Sequence, residues 1–341
     1  MAMSFSVIML ASLIIAIIIS ASHNIVTTEA LITVSFDQEL IDNHDYSKIA
    51  EKANPLLANN DAVTYQIIDY IKAHKQVIGT TAIIPVIVNN KLKDKLNGKS
   101  KFNFNLLTNN DSREIELAGI KGALIGSVLM IIIAIIISLP VGILTAIYFA
   151  ELAPKNNFIN FLELFIINLA SIPSIVFGIV GLSVFINYFG LPRSSSLAGG
   201  LTLSLMILPI IIITTKNALR RVPTAIRESA LALGASKQQM IFHHLLPIAT
   251  PSIMTGAILS ISRAIGETAP LMLLGMVAFI SETPKNIFDQ ATALPVQIFL
   301  WSESIDQEFT GRTSAAILVL MILLVLINLI AVIIRKKFER D

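Results

Sequence analysis

Apolar and polar positions divide this chain into six apolar stretches and one long polar block. Residues 5–20 are apolar, uncharged and about long enough to cross a bilayer. A removable signal peptide is the competing reading. No Lys or Arg precedes Lys48, so the basic leader is missing and a retained first span is favoured. The same weak flank also fits a start that lies upstream. Residues 117–150 exceed the ~20 residues of one straight span. Residues 119–127 are expected to form an interfacial or tilted start, and Pro140 with Gly142 to allow a kink where neighbouring helices satisfy the backbone. Residues 158–189 come next, broken by Ser-Ile-Pro-Ser-Ile-Val-Phe-Gly at 171–178. Residues 197–215 follow, then 248–280, which holds Arg263 and Glu267 in its interior, and finally 314–334. The expected fold is an all-α membrane protein with six transmembrane helices.

The polar block, residues 22–116, predicts a small extramembrane domain. Val63, Ile67, Ile68 and Ile71 recur at helical spacing within 61–75, with Asn60 or Asp61 placed to open the helix. Residues 80–88 (TTAIIPVIV) read as a short strand, and Pro85 makes it an edge strand. The five lysines within 91–101 read as a solvated loop face. Nothing in this block names a role.

Composition agrees with the membrane reading: 54% hydrophobic and 14% charged, against about 25% charged in a soluble domain. The net charge of +2 implies no nucleic-acid partner. The absence of cysteine excludes disulfides and thiol chemistry. No histidine stands at metal-ligand spacing with carboxylates, and no phosphate-cradling G-x-x-x-x-G-K-[ST] or hydrolase motif occurs. An enzyme reading therefore has little support, and no cofactor or metal is expected.

Loop charges set the orientation. Residues 216–247 carry Lys216, Arg220, Arg221, Arg227 and Lys237 against Glu228 alone, and the tail after 334 is basic, whereas 281–313 is acidic. The first two are expected inside and the third outside. That puts both termini in the cytoplasm and residues 22–116 on the external side.

Two segments are candidates for function. In 223–247, Pro223 suits a first helical turn and Gly234 a C-terminal glycine. A second helix over 236–245 is expected to stop at Pro247. This hairpin either receives another protein or lies on the headgroups. In the span 248–280, Arg263 sits about 18 Å deep. Glu267, four residues on, shares its helix face and neutralises it, and Gly266 gives room for another helix. A structural ion pair is the plainer reading, while intramembrane charge marks a substrate path by default. Ser171 and Ser174 flank Pro173, where a helix opening would present backbone N–H groups. Thr214, Thr215 and Asn328 are expected near span ends as caps or headgroup contacts, and Glu163 to snorkel.

Glu228-Ser229-Ala230, three residues, Gly234, nine residues, then His244-Leu245-Leu246-Pro247 resembles the EAA loop of type I ABC importer permeases. The chain departs from that pattern at Ser229 and His244, and His244 leaves the packing of the second helix in question. Residues 262–271, SRAIGETAPL, resemble the signature of the PstA branch of that family, the phosphate-importer permeases. Residues 102–110, 139–154 and 171–182 are similar too, whereas 22–101 look like an enlarged external insertion. The resemblance implies ATPase coupling through Glu228, Ser229, Ala230, Gly234 and Pro247, and a substrate path at Arg263, Glu267 and Thr268, with Ser171 and Ser174 as lesser candidates. It implies four kinds of neighbour: a homologous permease as heterodimer partner, two cytoplasmic ATPases, an extracytoplasmic phosphate-binding protein and membrane lipid. The sister permease, a permease for another anion, and a secondary transporter or channel without ATPase remain as alternatives.

Overall fold

The computed structural model describes residues 2–22, 26–57, 60–74, 80–88, 96, 99–102, 104–112, 114, 117–277, 279–280, 282–304 and 309–338. Most of the lysine run, the acidic residues Asp306 and Glu308 and the end of the basic tail fall outside them. The chain forms two compact units, residues 1–122 with 301–318, and residues 123–300 with 319–341.

The first unit holds α1 (Ala2–Ser22) and a three-stranded antiparallel sheet of order β2-β1-β3, built from β1 (Val26–Ser35), β2 (Thr81–Val88) and β3 (Lys99–Phe102). Alternation sends Ala30, Ile32 and Val34 of β1, and Ile84, Val86 and Val88 of β2, into one core with Phe36. Helices α2 (Tyr46–Ala53) and α3 (Asp61–Ala73) join that core through Ile49, Val63, Ile67 and Ile71. The expected helix therefore forms, and Asn60 opens it by accepting the Val63 N–H. The expected strand forms as β2, at the sheet edge. Its edge is not left bare: the Gln66 amide donates to the Ile87 carbonyl at 3.0 Å and accepts the Ile87 N–H at 2.8 Å. Residues 301–318 return to this unit, where the Trp301 indole donates to Asp111 at 3.0 Å and the Ser20 and Ser314 hydroxyls pair at 2.7 Å.

The second unit is helical among its described residues. It contains α5 (Asn157–Ser171), α6 (Ser174–Tyr188), α7 (Ser196–Arg221), α8 (Thr224–Ala232), α9 (Lys237–Ile265) and α10 (Ala269–Leu273), and the larger part of α4 (Lys121–Leu152), α11 (Leu294–Ser302) and α12 (Phe309–Phe338). Helices α4, α7, α9 and α12 are long and apolar enough to cross a membrane, and α5 with α6 makes a fifth if the bent pair is one span. The chain is a multi-pass membrane protein. Helix α7 is the inner one: Leu203, Met206, Ile207 and Ile211 are buried in the main core with Met130, Phe177, Leu271 and Met276. At the α7–α9 crossing, Gly256 lies against Thr214, whose hydroxyl a β-carbon there would strike.

The helix of the second stretch starts at Lys121 and runs to Leu152 with Pro140 inside it. Two expectations about helix bounds need correction. The second hairpin helix does not stop at Pro247 but continues as α9 to Ile265. The reason is a π-helical stretch, Met240–Leu245, just before the proline, where the Leu246 N–H reaches five residues back to Ile241. Such a bulge relieves the clash of a proline ring with the carbonyl four residues earlier. The charged span, expected over 248–280, ends instead at Ile265. Pro270 lies in the first turn of α10, where proline is tolerated, and it offers no N–H to the Gly266 carbonyl.

Candidate functional site

The hairpin α8–α9 is built by local chemistry. Pro223 stands one residue before the first helical turn, as the N-cap of α8. Its C-terminus closes with the Gly234 N–H on the Leu231 carbonyl at 3.0 Å and the Ala235 N–H on the Ala230 carbonyl at 3.1 Å. Gly234 has φ +86 with open space around it, so glycine is required there by backbone conformation, not by a close neighbour. Ser236 then starts α9 with a reciprocal capping box to Gln239.

The predicted coupling residues divide between two faces. Glu228 and Ser229 point outward with Leu233, which is 90% exposed. Ala230 does not: it is buried against Val222, Met240, Ile241 and Leu245. Pro247 is exposed on α9. His244 is exposed as well, and the second helix packs through Ile241 and Leu245 instead. Ala225, Ile226, Ser229, Leu233 and His244 line an outward groove of about 300 Å³, and Ala230 contributes to its floor.

Beneath this hairpin, Arg227 and Glu151 form a nearly enclosed pair, with Nη2 to Oε1 at 2.8 Å. Sequence reasoning counted Arg227 only as a loop charge and did not single out Glu151. Nearby, Lys216 pairs with Glu163, and Arg220 lies 3.7 Å from the same carboxylate. Glu163 is therefore held within the protein and does not snorkel. It sits in a cavity of about 210 Å³ between α5 and α7.

At the far end of α9, Arg263 Nε stands 3.5 Å from Glu267 Oε1. The expected pairing forms, but not on one helix face. Arg263 occupies the last turn of α9, where the helix dipole favours a cation. Glu267 lies in the bend beyond, its N–H on the Ala264 carbonyl at 3.3 Å. The Arg263 side chain is 47% exposed and that of Glu267 16%. Among the described residues, a β-carbon on Gly266 would meet only the Arg263 carbonyl oxygen, at 3.9 Å. One residue before Arg263, the Ser262 hydroxyl donates to Asn328 of α12 at 2.6 Å. Asn328 is thus a helix-to-helix contact and not a cap, and Thr214 donates to the Ile210 carbonyl of its own helix.

Ser171 and Ser174 flank a sharp break: α5 and α6 are bent by 105° at Ile172–Pro173. Ser171 donates back to the Ile167 carbonyl, and Ser174 is the first residue of α6. Gly178 of α6 lies against Pro270, where a β-carbon would come within 2.7 Å of the proline Cα. The break thereby seats α6 on α10, just after Glu267 and Thr268. No hydrogen bond or ion pair joins Ser171, Ser174 or Thr268 to Arg263 among the described residues.

Residues 138–341 match the family model described as binding-protein-dependent transport system inner membrane component. The matched region holds the hairpin, the 105° break and the Arg263–Glu267 pair. The chain is 33% identical over 244 residues to the probable ABC transporter permease protein YqgI of Bacillus subtilis, covering 67% of this chain and 82% of that one. It is 36% identical over 214 residues to the phosphate transport system permease protein PstA of Mycobacterium leprae, covering 62% and 68%. With the protein of that name from Yersinia pestis it shares 35% over 225 residues, covering 64% and 73%. One solved chain of the MetNI methionine ABC transporter is similar at a TM-score of 0.48 and 19% identity, over 64% of this chain and 95% of that one. The helical second unit, its bent helix pair and the matched residues make one assignment: the chain belongs to the binding-protein-dependent transport system inner membrane components, the ABC importer permeases.

Proposed function

We propose that this chain is one permease subunit of an ATP-driven importer of inorganic phosphate. The observation that carries the substrate is its similarity to two phosphate permeases, at 36% and 35% identity. In this reading residues 1–21 are the first transmembrane helix and 22–116 an extracytoplasmic domain. Residues 117–335 are the transmembrane domain, with the coupling segment 223–247, and 336–341 the tail. Both termini lie in the cytoplasm, as the basic loop 216–247 argues. A homologous permease completes the pathway, two ATPases dock on the hairpin, and an external binding protein delivers the ion.

The chemistry of Arg263 suits this role. A guanidinium holds phosphate through paired hydrogen bonds, and a half-exposed side chain is free to do so. Glu267 competes for the same cation, which weakens binding and lets the ion leave. Thr268, Ser171 and Ser174 add polar groups along the path. On the other side, Glu228, Ser229 and Leu233 offer the docking face, while Ala230, Gly234 and Pro247 shape it.

The test is uptake of labelled phosphate by vesicles that contain this chain, its homologous partner and the ATPases, with ATP inside the compartment that represents the cytoplasm and binding protein outside. ATP-dependent accumulation is expected. Uptake that proceeds equally without ATP would instead identify a secondary transporter or channel.

A further inference from the structure

We propose that Arg227 and Glu151 are the joint that carries movement of the hairpin into the membrane helices, a positioning role that rests on the coupling function just proposed. The guanidinium is used almost completely. Its Nη2 donates to Glu151 Oε1 at 2.8 Å and to the Leu219 carbonyl at 2.7 Å, its Nη1 to the Val222 carbonyl at 2.7 Å, and its Nε reaches both Glu151 oxygens at 3.3 Å. Four of the five donors of an arginine are thereby engaged. The pair is also enclosed, with the Arg227 side chain 19% exposed and that of Glu151 9%.

Three elements meet at this one group. Arg227 belongs to α8. Leu219 and Val222 lie in the last turn and at the C-cap of α7, where the Leu219 carbonyl also accepts the Val222 N–H at 3.2 Å. Glu151 lies in the π-helical last turn of α4. The neighbour Glu228 faces the other way, toward the docking side. A force applied to the outer face of α8 therefore reaches the ends of α4 and α7 through one planar fork.

Holding the hairpin down does not require this pair. Ile226 and Ala230 already pack against Val222, Met240, Ile241 and Leu245. A buried ion pair adds little net stability over apolar groups of the same shape. What the fork adds is direction, because its bonds lie in one plane and fix the angle between the elements. Lysine, a point charge on a flexible stem, does not reproduce that.

The test uses the whole complex with Arg227→Gln, Arg227→Lys and Glu151→Gln. Three quantities are measured: ATPase subunits retained on purification, ATP turnover, and phosphate moved per ATP. All three variants are expected to retain the ATPases and hydrolyse ATP near the wild-type rate. Phosphate moved per ATP should fall about tenfold, within the usual range for coupling between sites, and Arg227→Lys should recover only part of it. Unchanged phosphate per ATP overturns the proposal. So does loss of the ATPases in all three variants, which would make the pair a scaffold. A second readout is independent of the ion. The chain has no cysteine, so Asn217→Cys, exposed on α7, takes a single spin label. ATP should shift that label in wild type and not in Arg227→Gln. If it does so while wild type moves no phosphate, the substrate reading fails and the joint stands. If the label responds alike in both, or in neither, the joint is wrong.

Discussion

The second unit contains two Arg–Glu pairs that do opposite things with the same charges. Arg227–Glu151 is closed: its contacts are 2.7–3.3 Å and reach three elements. Arg263–Glu267 is open: a single 3.5 Å contact, with the arginine 47% exposed. The first has spent its donors on the protein, while the second keeps most of its own for something else. A rigid joint and an exchangeable ion site need these two different states, so the degree of satisfaction separates them better than charge or sequence spacing does.

The sharpest way to break this comparison is Arg263→Gln. It removes the cation that would hold the ion and leaves the hairpin untouched. Each charge-assisted hydrogen bond is worth about 1.5–3 kcal/mol, so phosphate uptake should fall by about 100-fold or more. ATPase subunits should still assemble, and ATP turnover should persist. Normal uptake in this variant would remove Arg263 from the pathway. Loss of assembly would make it a second structural pair and erase the contrast.

Gly234→Val comes next. At φ +86 a β-branched residue is strained by at least 1–2 kcal/mol, although no neighbour blocks the new side chain. The turn between α8 and α9 should distort and the docking face with it, lowering ATPase retention about tenfold. Gly234→Asn, which tolerates this backbone region, should restore most of it. If both variants couple normally, the outer face of the hairpin is not the docking surface.

These two sites also show how far the residues alone lead. The hairpin was readable because its signals are local: a proline before α8 and a glycine after it. The same holds for Asn60 capping α3, for β2 as an edge strand with Pro85, and for the break at Pro173. What failed depended on tertiary context. Pro247 reads as a stop, yet the helix passes it over a π stretch, as other prolines (Pro140, Pro209, Pro251) are passed too, whereas the helix ends four residues before Pro270. Glu267 was therefore rightly paired with Arg263 but wrongly put on its helix. Arg227 looked like one more loop charge, because nothing local reveals that it turns inward while Glu228 turns out. The strand β1 was missed entirely, since Thr27, Thr28 and Glu29 dilute the apolar pattern of its sequence.

Glu267→Gln tests the open pair from the other side. Without the competing carboxylate, Arg263 should bind phosphate more tightly and release it more slowly. The expected outcome is a lower apparent KM together with a lower maximal rate, each by a few-fold, the pattern of relieved competition in the bound ground state. A rise in KM would mean that Glu267 itself contacts the ion, as an acceptor from protonated phosphate.

The smallest effect is expected from Ser262→Ala. Ser262 precedes Arg263 and donates to Asn328 at 2.6 Å, linking α9 to α12. It is the nearest well-made contact to the open pair, and losing one neutral hydrogen bond costs about 0.5–1.5 kcal/mol. Thermal unfolding of the purified complex should register that loss, while phosphate uptake changes less than about threefold. The variant thus asks whether Arg263 depends on a fixed helix-to-helix register, as Arg227 does, or works from a loosely held position. An uptake defect as large as that of Arg263→Gln would show that the arginine is held in place by its neighbours, and the two pairs would then differ in exposure but not in kind.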